Sequence, residues 1–473
     1  MHLLKTITKL KPENIFLLLA LIFGISMVFV TPPLQSPDED SHFLSILRFS
    51  SFRTNPYFSS NEIAFVQMHH YIYFKPDQKY SLDKFQEALA FEVKDEDASQ
   101  NNNIYYKLRL KTIPWYLPSI AGMSISKLFS DNFCLNMWAG RLANLFAFAI
   151  ILFYAIRITP YFKWGFVLLG LMPMTLFLAS SLSYDSFTTA ISYLLIALIL
   201  KMFAVKHKLD FKNNWLVILI ISIMVFLKFP YLLLATPILF LKKDKFKGSY
   251  CYIIKIMVVF AFIFQLGIQM LPNATPAKAS SKITYYDRSF GSDNPLSDQK
   301  PKDIKSVIVK PGVFVHEFFN TLTNRKKILL YIGSFAGCLG WLDTLLPPSV
   351  LIFFYLVLMF TSLTVIQKVR LNGFEKSIFF LTGTGLFVAI HFIFYVLTKE
   401  ETTYIDGIQG RYFIPFAPYL LLPFLGIIKL KKIRKKRLFM NLLFCGSILF
   451  VQIVSMTTLL QRYYFSYWWE RNL

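Results

Sequence analysis

Three acids stand side by side in Pro37-Asp38-Glu39-Asp40-Ser41-His42, a few residues beyond the first apolar run of the chain. Adjacent carboxylates near a membrane surface repel one another unless they bind a cation, share a proton or face basic groups. Asp38 or Glu39 suits a general base that takes the proton of an acceptor hydroxyl, with Asp40 and His42 beside the substrate. The plainer role is a solvated helix start, in which Ser36 or Asp38 caps a short helix whose first turn holds Asp40. Further groups have the chemistry to complete a site. Asp185, in Ser183-Tyr184-Asp185-Ser186, is a second acid or an N-cap. Arg141, in Gly140-Arg141-Leu142-Ala143-Asn144, and Arg411, in Gly410-Arg411-Tyr412-Phe413, stand at the edges of apolar runs. An arginine there either snorkels to headgroups or clamps a phosphate bidentately, with Tyr412 alongside. Lys228 lies well inside an apolar run, where charge is functional by default, unless it caps carbonyls freed at a helix break. His391 reads as a packed core histidine, and His69-His70 has no nearby acid pair, so neither is a metal candidate.

Positioning these groups falls to a membrane fold. Of 473 residues, 55% are hydrophobic and 16% charged, against about 25% charged in soluble domains. Apolar runs of about 20 residues recur, each long enough to cross a hydrocarbon core of about 30 Å. A soluble enzyme, a secreted module and a disordered chain are excluded. The net charge of +23 first suggests nucleic acid. The lysines and arginines cluster directly against apolar runs, however, as they do in cytoplasmic loops, so no nucleic-acid partner is expected. The cysteines (Cys134, Cys251, Cys338, Cys445) are isolated, which argues against a zinc site or a disulfide framework.

The charge pattern also sets an orientation. Lys5, Lys9 and Lys11 precede the run Ile15–Val30, which reads as an uncleaved signal anchor with a cytoplasmic N-terminus. The expected fold is an all-α integral membrane protein, a single polytopic domain over 1–473 with about eleven membrane helices. A first external loop, 33–136, carries interfacial helices, and a second external segment covers 272–348. The stretch 113–129 is placed at the interface because Pro114 and Pro118 interrupt it. Were it to span, the basic cluster Lys201 to Lys212 would lie outside. Residues 215–241 are read as a hairpin broken at Lys228-Phe229-Pro230, and 164–180 and 412–428 as spans. The run Lys429 to Arg437 is the strongest inside signal, and the aromatic tail Tyr463 to Trp469 suits the headgroup belt. Internal repeats of the kind that mark many transporters are not visible.

In order along the chain stand Thr31-Pro32-Pro33, Pro37-Asp38-Glu39 with His42, Arg141-Leu142, Pro173-Met174, Asp185, Lys228 with Pro230, Gly340-Trp341-Leu342-Asp343 with Pro347, and Gln409-Gly410-Arg411-Tyr412-Phe413 with Pro415. As an ordered set these resemble a bacterial family of multi-pass membrane proteins catalogued as domain of unknown function 2142. That family in turn resembles the GT-C superfamily of membrane glycosyltransferases, which use sugars carried on polyprenyl phosphate. The resemblance implies that Asp38 deprotonates the acceptor, that Glu39 supports it or an optional divalent cation (Mg or Mn), and that Arg411 holds donor phosphate. Asp40 departs from the family pattern, which has a smaller residue there, so the choice of base among the three acids stays open.

The leading expectation is an enzyme of the cytoplasmic (inner) membrane, active at its outer face. It would transfer a sugar from a polyprenyl-phosphate donor to a glycan or glycolipid acceptor. A flippase for lipid-linked sugars and a non-catalytic scaffold are the alternatives. The flippase predicts mid-membrane charge and repeat symmetry; the scaffold predicts indifference to the loss of Asp38.

Overall fold

The computed structural model describes residues 11–51, 60–69, 72, 75, 77–92, 110–270, 310–365, 371–397, 402–429 and 436–465. The expectations for Lys5 and Lys9, for His70, for 272–309, for Lys431 to Lys435 and for the tail beyond Phe465 lie outside them.

Six described helices are long and apolar enough to cross a bilayer: Pro12–Val30, Phe133–Ile158, Tyr184–Ala204, Tyr250–Ile268, Gly373–Leu397 and Phe439–Tyr463. The first ends at Val30, where the apolar run Ile15–Val30 ends. Among the described residues the remaining apolar stretches are shorter or broken. The expected span 164–180 is two helices, Lys163–Gly170 and Pro173–Ala179, parted where Pro173 starts the second. Nearly all of both is buried, and they sit inside the bundle. The expected span 412–428 is also split, into the 3-10 turn Gly410–Phe416, the short helix Ala417–Leu421 and the turn Leu422–Phe424. Pro415, Pro418 and Pro423 each withhold a backbone donor there. The hairpin forms with its break where expected: helix Phe211–Val225, then the 3-10 helix Tyr231–Phe240. The stretch 113–129 is a 3-10 turn, Leu110–Tyr116, followed by the ten-residue helix Leu117–Ser126, too short to span.

Tyr184–Ala204 is the central helix, with 83% of its most apolar window buried by other segments, against 28% for the lipid-facing Gly373–Leu397. In hydrocarbon, apolar contact alone gives helices little reason to associate, so polar contacts matter more than usual for register. Arg141, early in Phe133–Ile158, reaches the carbonyl of Val28, late in Pro12–Val30. The two helices are therefore antiparallel. The end of the first and the starts of Phe133–Ile158 and Tyr184–Ala204 meet at one end of the bundle, where the candidate residues lie.

Candidate functional site

The segment from Thr31 to Asp38 is a sharply shaped connection. Leu34 and Asp38 both have positive φ, 63° and 59°, a left-handed backbone that costs a non-glycine residue about 1 kcal/mol or more. Neighbouring elements hold it there. Trp341 donates its indole N–H to the Leu34 carbonyl at 2.9 Å, and the Tyr463 hydroxyl donates to that of Gln35 at 3.1 Å. Gln35 donates in turn to the His69 carbonyl at 3.2 Å. Trp341 is presented by Gly340, whose φ is +61° and where a Cβ would fall 2.3 Å from Asp343 Oδ1. Asp343 pairs with Arg462 at 2.9 Å, at the end of the last helix. The Gly340-Trp341-Leu342-Asp343 motif thus supports the backbone that carries Asp38.

Glu39 and Arg141 form the second support. Arg141 Nε and Nη2 donate to Glu39 Oε1 and Oε2 at 2.8 and 2.6 Å, and both side chains are fully buried. The same guanidinium donates to the carbonyls of Val28, Thr31 and Pro32. Glu39 also accepts the N–H groups of Leu182 at 3.1 Å and Ser36 at 3.3 Å. Every oxygen of this carboxylate is engaged. Among the described residues no three His, Cys, Asp or Glu side chains are grouped to hold a metal ion. The snorkelling alternative fails for Arg141, whose charge points inward.

The capping expectation changes as well. Asp38 occupies the N-cap position of helix Glu39–Ser50, but its side chain makes no capping hydrogen bond. It turns to Arg411 instead, whose Nη2 donates to Asp38 Oδ2 at 2.6 Å. Arg411 Nε lies 3.7 Å from Asp185 Oδ2, and Lys228 Nζ lies 3.3 Å from Asp185 Oδ1. Two acids and two cations from four distant parts of the sequence thus meet. The exposure is lopsided: the Asp38 side chain is 50% exposed, that of Arg411 3%. Arg411 Nε and Nη1 are buried with no hydrogen-bond partner. Buried donors left unfilled cost about 1–3 kcal/mol each, more when charged, so this guanidinium has unused capacity for an anion. Gly410 makes the placement possible. A Cβ there would stand 2.0 Å from the Tyr331 carbonyl oxygen, so only glycine lets this loop lie against helix Arg325–Ala336.

Burial pulls the Asp38 carboxyl upward, but the adjacent Arg411, with His42 and Lys228, holds it below the usual range. Asp40 differs. It is 2% exposed, and burial with Asp38 and Glu39 close by raises it to about 6, although it accepts the Ser41 N–H at 2.6 Å. Burial lowers His42 to about 4; its Nδ1 lies 2.8 Å from the Tyr116 hydroxyl. Of the three adjacent acids, only Asp38 faces water.

The charges sit against aromatic rings, of which the sequence marked only Tyr412 for the site. Lys228 Nζ lies 4.2 Å from the Tyr412 ring centroid and 5.2 Å from that of Tyr184. Tyr184 meets Trp115 and His42 at centroid distances of 4.9 Å. The Tyr231 hydroxyl donates to the Tyr412 carbonyl at 2.9 Å. The sequence signals were present but weak: Tyr184 adjoins Asp185, and Trp115-Tyr116 carried only an interfacial reading. His391 is fully buried with Nδ1 2.8 Å from the Phe387 carbonyl, a core histidine as expected. Lys228 partners an acid and not freed carbonyls.

A family model described as a predicted membrane protein (DUF2142) matches residues 21–420, which include every candidate residue named above. No curated protein and no solved structure matches the chain.

Proposed function

The chain belongs to the DUF2142 family of predicted membrane proteins, and from the geometry of its site we propose that it is a glycosyltransferase drawing on a polyprenyl-phosphate sugar. The observation that carries this reading is the buried guanidinium of Arg411, with Nε and Nη1 unfilled, beside the water-facing carboxylate of Asp38. A phosphate that takes the open Nη1 donor of Arg411, with Lys228 Nζ nearby, would place the sugar it carries next to Asp38. The acceptor hydroxyl oxygen then attacks the anomeric carbon. Its proton passes to Asp38, and the bond from the anomeric carbon to phosphate oxygen breaks, its electron pair leaving with the lipid phosphate. Arg411 and Lys228 stabilise the charge that develops on the leaving oxygen.

The Arg411 contact that keeps Asp38 ionised also weakens it as a base. A donor phosphate on the same guanidinium offsets that positive charge, so Asp38 gains basicity once the donor is bound. This favours donor before acceptor. Glu39, closed off by Arg141, is in this reading a positioning residue. The acceptor is a glycan or glycolipid at the outer face of the cytoplasmic membrane, with the N-terminus inside, an orientation supported by the basic clusters.

The test compares wild type with Asp38→Asn at equal membrane levels. The surface glycan is analysed by composition, and the lipid-linked sugar is quantified on each leaflet. Loss of one sugar with donor accumulating outside supports the transferase. Donor retained on the inner leaflet would point to a flippase, and an unchanged glycan would remove the role given to Asp38.

A further inference from the structure

The opposite end of the bundle holds a cavity. Phe133–Ile158 runs from Arg141 at the Asp38 end to Arg157, sixteen residues and about 24 Å further on at 1.5 Å per residue. There it meets the start of Pro12–Val30 and encloses a cavity of about 540 Å³. Its lining falls into two parts. Lys11, Arg157 and Lys163 bring three positive charges against the single acid Glu13. Trp164, Met440 and Phe444 supply an apolar wall.

These cations differ in what they already do. Lys163 donates to the carbonyls of Ile156 and Arg157 at 2.8 and 2.7 Å and lies 4.0 Å from Glu13, so it closes a helix end. Lys11 and Arg157 are exposed and have no such tie among the described residues. Lys11 also stands at the N-cap of a 19-residue helix, where the helix dipole adds a partial positive charge. Beside the cavity-lining Leu425, the side chains of Phe424 and Ile427 are 43% and 63% exposed. In a membrane-spanning chain those exposed apolar groups face acyl chains. Cationic headgroup space, an apolar wall and a greasy approach therefore coincide.

We propose that this cavity binds an anionic phospholipid of the leaflet opposite Asp38, with the lipid phosphate between Lys11 and Arg157 and its acyl chains along the Phe424 and Ile427 side. Charge complementarity selects an anionic over a zwitterionic lipid, because a choline headgroup would bring its own cation against these two. The site is independent of the sugar-transfer reading and would persist in a variant lacking Asp38.

The experiment is native mass spectrometry of the full chain in detergent, titrated with phosphatidylglycerol or phosphatidylcholine of identical acyl chains. Wild type should retain phosphatidylglycerol preferentially. Each removed charge should lower that preference about fivefold, and Lys11→Gln with Arg157→Gln about 25-fold. Lys206→Gln with Lys208→Gln, exposed lysines on the same face but outside the cavity, should leave it unchanged. Equal retention of the two lipids by wild type would overturn the proposal, as would an equal loss in the control pair. Displacement of the lipid by millimolar inorganic phosphate would overturn the lipid assignment and make the ligand a soluble phosphate. Thermal unfolding of both pairs, expected to match wild type, ensures that lost binding is not lost fold.

Discussion

Replacing Glu39 by Gln should damage the fold more than replacing its neighbour Asp38 by Asn. Glu39 and Arg141 are both 0% exposed, and their pairing is bidentate. Glu39→Gln leaves the guanidinium its carbonyl partners at Val28, Thr31 and Pro32. It sets an amide N–H₂ against a charged donor and strips a buried cation of its counter-ion. Removing one partner of a buried pair costs about 3–5 kcal/mol, and the lower end applies because the amide oxygen can still accept. Arg141→Met should cost more, since it also orphans those carbonyls at about 1–3 kcal/mol each. The double variant should be no worse than Arg141→Met alone, a coupling of about 3 kcal/mol. Asp38→Asn, by contrast, changes a half-exposed carboxylate and leaves the buried Arg411 its second acid, Asp185, so it should cost less, about 1–2 kcal/mol. The measurement is reversible unfolding in mixed micelles, arranged as a double-mutant cycle. Additive single effects, or a Glu39→Gln protein as stable as Asp38→Asn, would refute the reasoning.

Arg411→Lys keeps the charge but loses the fork, and is expected to reduce sugar transfer about 10²–10³-fold, read as glycan composition against donor accumulation. Gly410→Ala drives a Cβ into the Tyr331 carbonyl and the Phe335 N–H at 2.0 and 2.5 Å; it should destabilise by about 1–3 kcal/mol and lower transfer even where the protein still inserts. The pH dependence has two opposed parts. Asp40, raised to about 6, contributes stability that is full below its unfolded value near 4 and is lost as pH rises through 6. His42, lowered to about 4, contributes stability that is full above 6.5 and is lost as pH falls through 4. Each is worth about 3 kcal/mol at 1.36 kcal/mol per unit, so they nearly cancel between pH 4 and 6. Asp40→Asn should unmask the His42 slope, with the unfolding temperature climbing from pH 4 to 6.5; a flat profile in that variant would count against it.

Much of the site was legible in residue types. Asp38, Asp185, Lys228 and Arg411 all meet, because charges placed within or at the ends of apolar runs have few places to go except one another. The order of the three acids was not legible. Adjacent residues on a helix start point in different directions, and only the partners each finds decide its character: Arg141 for Glu39, water and Arg411 for Asp38, burial for Asp40. The aromatic surround was hidden for a related reason. Trp115, Tyr184 and Tyr231 sit in stretches already rich in aromatics, where composition cannot distinguish a site ring from a packing ring.

Length and hydropathy by themselves determined that the chain lives in a membrane and where its long helices run, while prolines and the placement of basic clusters put 113–129 at the interface. Those are local properties, since a helix needs enough apolar residues to satisfy hydrocarbon whatever its neighbours are. The breaks in 164–180 and 412–428 were overlooked because the hydropathy of a run does not record whether prolines divide it into a continuous helix or two buried pieces. Only the tertiary structure decided that the two arginines turn inward and that one acid of three stays open to water. It also decided that the N-terminus of the first helix meets Arg157 at a cationic cavity. Each of these depends on contacts between segments more than 100 residues apart in sequence, and no local pattern contains them.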